Sequence, residues 1–313
     1  MVLTSVFLTF GIFIVSLIIL IKSSDKFTEA AEKIGQKLNI NQFIIGVTIL
    51  AIGTSLPELI TSLIALKNKS TEIIIGNVIG SNIANILLVL GIIAIFSKKI
   101  KTKHTTPKID IFVFFSTLIF ITITFLDNYF TRLEGILGLF ILLYYLLTLN
   151  SKNKNEKKKK KTSKKGLKLQ FLIIFLSSFF IYLGAKYTIF AVINLSNMFN
   201  IGKEIIAISA VAIGTSLPEL IVSLQATKKG NLGMAFGNVL GSNIFNTFAV
   251  LGIPALFKNL IIPQNIIYLS IPLLIFASLL FYFILKTKKL TKTLGYVMLI
   301  IYFLYLGKIF NFF

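Results

Sequence analysis

Residues 51–91 and 212–252 are two copies of one segment. They align without a gap at a constant offset of 161, with 25 identities in 41 positions. The first copy reads AIGTSLPELITSLIALK and then GNVIGSNIANILLVLG; the second reads AIGTSLPELIVSLQATK and then GNVLGSNIFNTFAVLG. The shared positions are mostly Gly, Ser, Thr, Asn, Pro and Glu, so a common apolar composition does not explain them. A chain built this way folds as two related halves.

The runs around the copies set the solvent. The chain is 56% hydrophobic with a mean hydropathy of +0.89, more apolar surface than a soluble fold of 313 residues can hide. Runs at 3–21, 109–126, 135–149, 169–183, 266–285 and 294–306 each approach the roughly 20 residues that cross a bilayer. Four further stretches, 40–66, 72–96, 203–227 and 232–257, are apolar but interrupted by Gly, Pro and polar residues. The expected fold is therefore an all-α polytopic membrane protein of ten transmembrane helices. Each half holds five, and after an odd number of spans the second half enters the membrane with opposite orientation. Such an inverted repeat is common among secondary transporters, whose substrate site lies near the midplane where the halves meet. The expected organisation is a first five-helix half over 1–150 with its repeat at 40–96, a linker at 151–168, and a second half over 169–313 with its repeat at 203–257.

No basic leader precedes the first apolar run and no small-residue cleavage site follows it, so the first span is expected to be retained. The absence of cysteine excludes disulfides and thiolate chemistry. The single histidine, His104, sits among lysines and reads as a solvated loop residue.

A net charge of +21 raises nucleic acid as a partner, but the distribution of charge argues against it. Of the 32 basic residues, 25 fall in alternate connections (1–2, 3–4, 5–6, 7–8 and 9–10) and 7 in the others or the C-terminus. This is the positive-inside bias, and it puts both termini outside and the lysine-rich linker in the cytoplasm. The linker is expected to be a flexible connector with a secondary attraction to anionic lipid. No oligomer is required by this plan.

The repeated motif carries the chemistry. GTSLPE at 53–58 and 214–219 puts a proline in an apolar helix. Proline removes one N–H and clashes with the carbonyl four residues back, so a kink or opening is expected, with carbonyls around 51–54 and 212–215 freed as oxygen ligands. Glu58 and Glu219 are the only acidic residues in the interiors of the ten spans. A carboxylate at that depth costs at least about 2.5 kcal/mol and marks a functional site. On a helix, Thr54 and Ser55 share a face with Glu58, as Thr215 and Ser216 do with Glu219. In the next span Asn77, Ser81 and Asn85 form a polar stripe, repeated by Asn238, Ser242 and Asn246, while Gly76, Gly80, Gly237 and Gly241 leave room for close helix packing. Leu56 and Leu59, also repeated, read as packing positions. The donor set is all oxygen, which suits Ca²⁺, with about 6–8 oxygen ligands, or Na⁺, and is wrong for zinc or copper.

At these residues the chain resembles the cation/calcium exchanger superfamily, most closely its prokaryotic sodium/calcium exchangers. GTSLPE followed by GNxxGSNxxN in both halves is similar to that family's paired α-repeats. The resemblance implies an electrogenic antiporter that moves Na⁺ inward and Ca²⁺ outward by alternating access, with no cofactor. It implies Glu58 and Glu219 as the central Ca²⁺ ligands, helped by the carbonyls of Thr54 and Thr215. Na⁺ would use the same carboxylates with Ser55, Ser81, Ser216, Ser242 and the carbonyls of Ala51 and Ala212, while Asn85 and Asn246 line the middle. An acid at the position of Asn246 accompanies potassium dependence in one branch, and the proton-coupled branch has motifs that differ from GTSLPE. Proton-coupled or potassium-dependent antiport and a cation channel stand as the alternatives. A membrane enzyme is disfavoured, since HExxH, GxSxG and any further nucleophile constellation are missing.

Overall fold

The computed structural model describes residues 2–38, 40–67, 69, 71–96, 100–101, 108–124, 127–155, 166–198, 203–264, 266–287 and 289–309. Ten helices run through them: α1 (Val2–Leu38), α2 (Gln42–Lys67), α3 (Thr71–Phe96), α4 (Lys108–Thr124), α5 (Arg132–Asn155), α6 (Leu167–Met198), α7 (Lys203–Lys228), α8 (Leu232–Ala255), α9 (Ile266–Thr287) and α10 (Lys292–Ile309). Eight of them, among the described residues, are long and apolar enough to cross a membrane, and α4 is a shorter apolar helix. Helices satisfy their backbone groups internally, which is what a lipid solvent demands. The protein is a multi-pass membrane protein. His104 and most of the lysine-rich linker lie outside the described residues.

Helix α1 departs from the expected span at 3–21. It runs 37 residues, roughly 55 Å at helical rise, well beyond a bilayer core of about 30 Å. Its second part changes character. Phe27, Ala30, Ala31 and Ile34 are buried, while Glu29 is bridged on the outer face to Lys26 (3.2 Å) and Lys33 (2.6 Å). The charges that read as a loop are the wet face of a continuing amphipathic helix. Alongside it lies α6, with Thr188 Oγ1 donating to Ser16 Oγ at 3.0 Å. Glu72 in the first turn of α3 and Lys186 on α6 are exposed, and the Lys186 Nζ lies over the Tyr187 ring.

The centre belongs to the helices that carry the repeats. Most of α3 and α8 is buried, whereas α1, α5 and α6 keep most of their apolar residues exposed, as lipid-facing helices do. Helices α2 and α8 touch backbone to backbone. A methyl group at Gly46 would come within 2.3 Å of the Met234 carbonyl, and one at Gly237 within 2.3 Å of the Phe43 carbonyl. The expected close packing at Gly237 and Gly241 is present. A methyl at Gly76 or Gly80 would meet no described atom within 4 Å. Leu59 packs against the core, but Leu56 is exposed, whereas its second copy, Leu217, is buried.

Proline does not open the helices. Both Pro57 and Pro218 sit inside continuous α-helix. The departures from α geometry are π-helical turns at Gly46–Leu50, Asn85–Val89, Asn246–Val250 and Ile266–Ser270. A π turn widens the hydrogen-bond ladder, a device common at functional sites. The first lies one turn before GTSLPE, and the next two begin on the last asparagine of each GSNxxN. Nor is the Ala51 carbonyl wholly free, because the Thr54 hydroxyl reaches Leu50 O at 3.1 Å and Ala51 O at 3.4 Å.

Four two-residue strands tie the connections together. Strand β1 (Ile100–Lys101), between α3 and α4, pairs antiparallel with β4 (Lys289–Leu290), between α9 and α10. Strand β2 (Tyr129–Phe130), between α4 and α5, pairs with β3 (Leu260–Ile261), between α8 and α9. Each pairing joins a connection before residue 151 to one after residue 168.

Candidate functional site: a buried carboxylate pair

Glu58 in α2 and Glu219 in α7 are both buried, at 2% and 0% exposure, and lie within electrostatic reach of each other. Among the described residues the ion pairs involve only α1 and Lys229, so neither carboxylate has a cationic side chain beside it. Two buried carboxylates without a counter-charge are costly unless something positive joins them.

The surroundings are drawn from both copies of the repeated segment. Ser55 donates its hydroxyl to Glu219 Oε1 at 3.2 Å. Thr54 Oγ1 lies 3.3 Å from Asn238 Oδ1 and 3.5 Å from Ser242 Oγ on α8. Asn238 Nδ2 in turn donates to Ser223 Oγ at 2.9 Å. On α3, Asn77 Nδ2 donates to the Glu58 carbonyl at 3.4 Å and to Ser62 Oγ at 3.3 Å. The π turns bring the repeats across one another: the α3 turn packs on α7 and the α8 turn packs on α2.

Buried polar atoms are ordinarily paired. Here ten of the fourteen exceptions among the described residues lie in the GTSLPE and GNxxGSNxxN motifs. Glu58 Oε1 and Oε2, Glu219 Oε2, Ser81 Oγ, Ser216 Oγ, the side-chain oxygens of Asn77, Asn82 and Asn85, and both amide atoms of Asn246 are buried without a hydrogen-bond partner. All but Asn246 Nδ2 are oxygens. Without Asn82, whose Nδ2 is tied to Thr247 Oγ1, the set fits a hard cation, which takes oxygens from carboxylates, hydroxyls and amides together. No group of three or more His, Cys, Asp or Glu exists among the described residues, so the donors beyond the two carboxylates are neutral.

Of the twelve residues singled out from the sequence, Thr54, Ser55, Glu58, Ser81, Asn85, Ser216, Glu219, Ser242 and Asn246 are buried, contacts bring Ser55 to Glu219 and Thr54 to Ser242, and Ala51 lies in the same helix as Thr54. Ala212 and Thr215 lie within α7, their side chains outside the described residues. The sequence reading passed over Ser62, Ser223, Asn82, Asn243 and Thr247. The first four are duplicated at the offset of 161, a signal that was available; Thr247 faces Ile86 in the other copy and carries no such signal.

The bundle and its centre define a polytopic helical membrane protein with a buried carboxylate pair that has no cationic partner among the described residues. The chain belongs to the sodium/calcium exchanger protein family, whose model matches residues 8–150 and 169–310. It is 32% identical over 344 residues to the sodium/calcium exchanger MaX1 of Methanosarcina acetivorans, covering 96% of this chain and 98% of that one. An uncharacterised membrane protein of Methanocaldococcus jannaschii is 33% identical over 293 residues, covering 93% and 95%. Among solved structures, the sodium-calcium exchanger NCX_Mj soaked with zero Na⁺ and Ca²⁺ matches with a TM-score of 0.83 at 33% identity, over 97% of this chain and 99% of that one.

Proposed function

We propose that this protein is a secondary antiporter that exchanges Na⁺ for Ca²⁺ across the membrane by alternating access. The carrying observation is the pair Glu58 and Glu219, supplied by different copies of the repeat, buried without a cationic partner among the described residues and accompanied by unpaired oxygens in the same motifs. Their two formal charges match one Ca²⁺ or two Na⁺. The two carboxylates bind Ca²⁺ with the Thr54 and Thr215 carbonyls. Na⁺ takes the same carboxylates with Ser55, Ser81, Ser216, Ser242 and the Ala51 and Ala212 carbonyls, and Asn85 and Asn246 line the middle. Shared ligands make binding of one ion exclude the other, so counter-transport needs no separate coupling device.

The ten helices form two inverted five-helix halves, 1–150 and 169–313, joined by the linker 151–168. The strand pairings support this. Adding the repeat offset of 161 to β1 lands on β3, and adding it to β2 lands on β4, within a residue. The two pairings are thus exchanged by the operation that relates the halves. They also join connection 3–4 to 9–10 and connection 4–5 to 8–9, pairs that share a side if ten spans alternate, which supports the reading. With the positive-inside bias, both termini are outside and the linker is cytoplasmic, where its lysines meet anionic lipid.

The relatives named sodium/calcium exchangers favour Na⁺ as the coupling ion, and a neutral Asn246 disfavours potassium dependence. The test is Ca²⁺ uptake into proteoliposomes with and without an outward Na⁺ gradient, with K⁺ and pH gradients as comparisons. Uptake that requires the Na⁺ gradient supports the proposal; uptake driven equally by a proton gradient, or by no gradient, refutes it.

A further inference from the structure

The asparagines of the two GSNxxN segments meet between the halves, and their hydrogen bonds do not follow the repeat. At the offset of 161, Asn82 corresponds to Asn243, Asn85 to Asn246 and Ile86 to Thr247. Asn243 accepts from Asn85 Nδ2 at 3.0 Å and donates Nδ2 to the Asn82 carbonyl at 3.2 Å. The related half of the network would have Asn82 accept from Asn246 and donate to the Asn243 carbonyl. Instead Asn82 Nδ2 donates to Thr247 Oγ1 at 3.1 Å. Asn82 Oδ1 and both amide atoms of Asn246 are left buried and unpartnered. The hydroxyl that turns Asn82 aside exists in one copy only, because Ile86 has none to offer Asn243.

The two middle amides therefore differ. Asn85 has its nitrogen tied to Asn243, which leaves its Oδ1 as a fixed, unpaired acceptor. Asn246 is tied at neither end. It stands at the start of the π turn that packs against α3 and against α2, the helix that carries Glu58. A free amide can turn its oxygen to a cation or its nitrogen to a carboxylate, which suits a site that must accept two ions of different charge. Resting on the exchanger reading above, we propose that Thr247 is a positioning residue that diverts Asn82 and so keeps the Asn246 amide free to turn between the two exchanged ions.

The experiment measures the Ca²⁺ KM and maximal rate of Na⁺-driven uptake in proteoliposomes for wild type, Thr247→Val, Thr247→Ser and the double variant Thr247→Val with Asn82→Ala. Valine keeps the shape and removes the hydroxyl, so Asn82 closes onto Asn246 and fixes its oxygen towards the ions. The Ca²⁺ KM should fall about fivefold, corresponding to one neutral hydrogen bond of roughly 1 kcal/mol, with a lower maximal rate. Thr247→Ser should retain the wild-type KM. Adding Asn82→Ala to Thr247→Val should restore it, because no Oδ1 remains to hold Asn246; a merely structural role would make the double variant worse. An unchanged KM in Thr247→Val, an equal shift in Thr247→Ser, or no reversal in the double variant overturns the inference. Absence of Na⁺-driven uptake in the wild type refutes the exchanger reading itself, and the inference with it.

Discussion

Gly241→Ala tests how tightly the site depends on the crossing of the two repeats. A methyl group at Gly241 would lie 2.4 Å from the Val47 carbonyl oxygen, 2.6 Å from Val47 Cα and 2.7 Å from Ala51 Cβ. Two of these are backbone atoms of α2, so no side-chain rotation relieves them. Relief requires α8 to retreat from α2 by about 1 Å, the distance to ordinary van der Waals contact. The contacts of Thr54 with Asn238 and Ser242 are already 3.3 and 3.5 Å, and such a shift takes both beyond hydrogen-bond range. Overpacking of this kind costs about 1–3 kcal/mol, and the hydrogen bond lost between Thr54 and Ser242 adds about 1 kcal/mol. The expected outcome is a total destabilisation of roughly 2–4 kcal/mol with a Ca²⁺ KM raised by about tenfold or more. Thermal unfolding of purified protein and Ca²⁺ uptake in proteoliposomes measure the two effects. Gly11→Ala is the comparison, since a methyl there meets nothing within 4 Å. If Gly241→Ala unfolds and transports like Gly11→Ala, the close crossing does not hold the site.

Further outcomes follow from the carboxylates. Glu58→Gln or Glu219→Gln removes half of the site's formal charge at almost constant volume, so each variant should insert and fold but lose Ca²⁺ transport; robust Na⁺-dependent uptake by a folded variant contradicts the assignment. Protons compete with Ca²⁺ for the same two carboxylates, so the apparent Ca²⁺ affinity should fall as pH drops from about 8 to 6. An affinity flat across that range contradicts a shared carboxylate site.

Much of the centre was legible because duplication marks it twice. The offset of 161 picked out Glu58 and Glu219 and the hydroxyls and amides around them, and the described members of that set are buried apart from the half-buried Asn77. What escaped depends on three-dimensional context. Residues 22–38 look like a charged loop until Phe27, Ala31 and Ile34 are seen buried on one side of a continuing helix. Pro57 signals a break by its own chemistry, yet α2 continues as α-helix through it and the irregularity falls in the π turn before it. Thr247 is invisible to a repeat alignment, because its effect comes from differing from Ile86 rather than matching it.

The most direct test of the central claim is efflux of radiolabelled Ca²⁺ from loaded proteoliposomes at alkaline pH. The outside solution contains Na⁺, or Ca²⁺, or choline with chelator. With an ion bound, the charges of Glu58 and Glu219 are compensated while the site closes to water on both sides. With the site empty, closure strips water from two bare carboxylates, at several kcal/mol per charge. A penalty of about 5 kcal/mol slows the empty crossing by more than a thousandfold. Efflux should therefore be rapid into Na⁺ or Ca²⁺ and nearly absent into choline. Comparable efflux into all three would contradict obligatory exchange and make the protein a channel or uniporter.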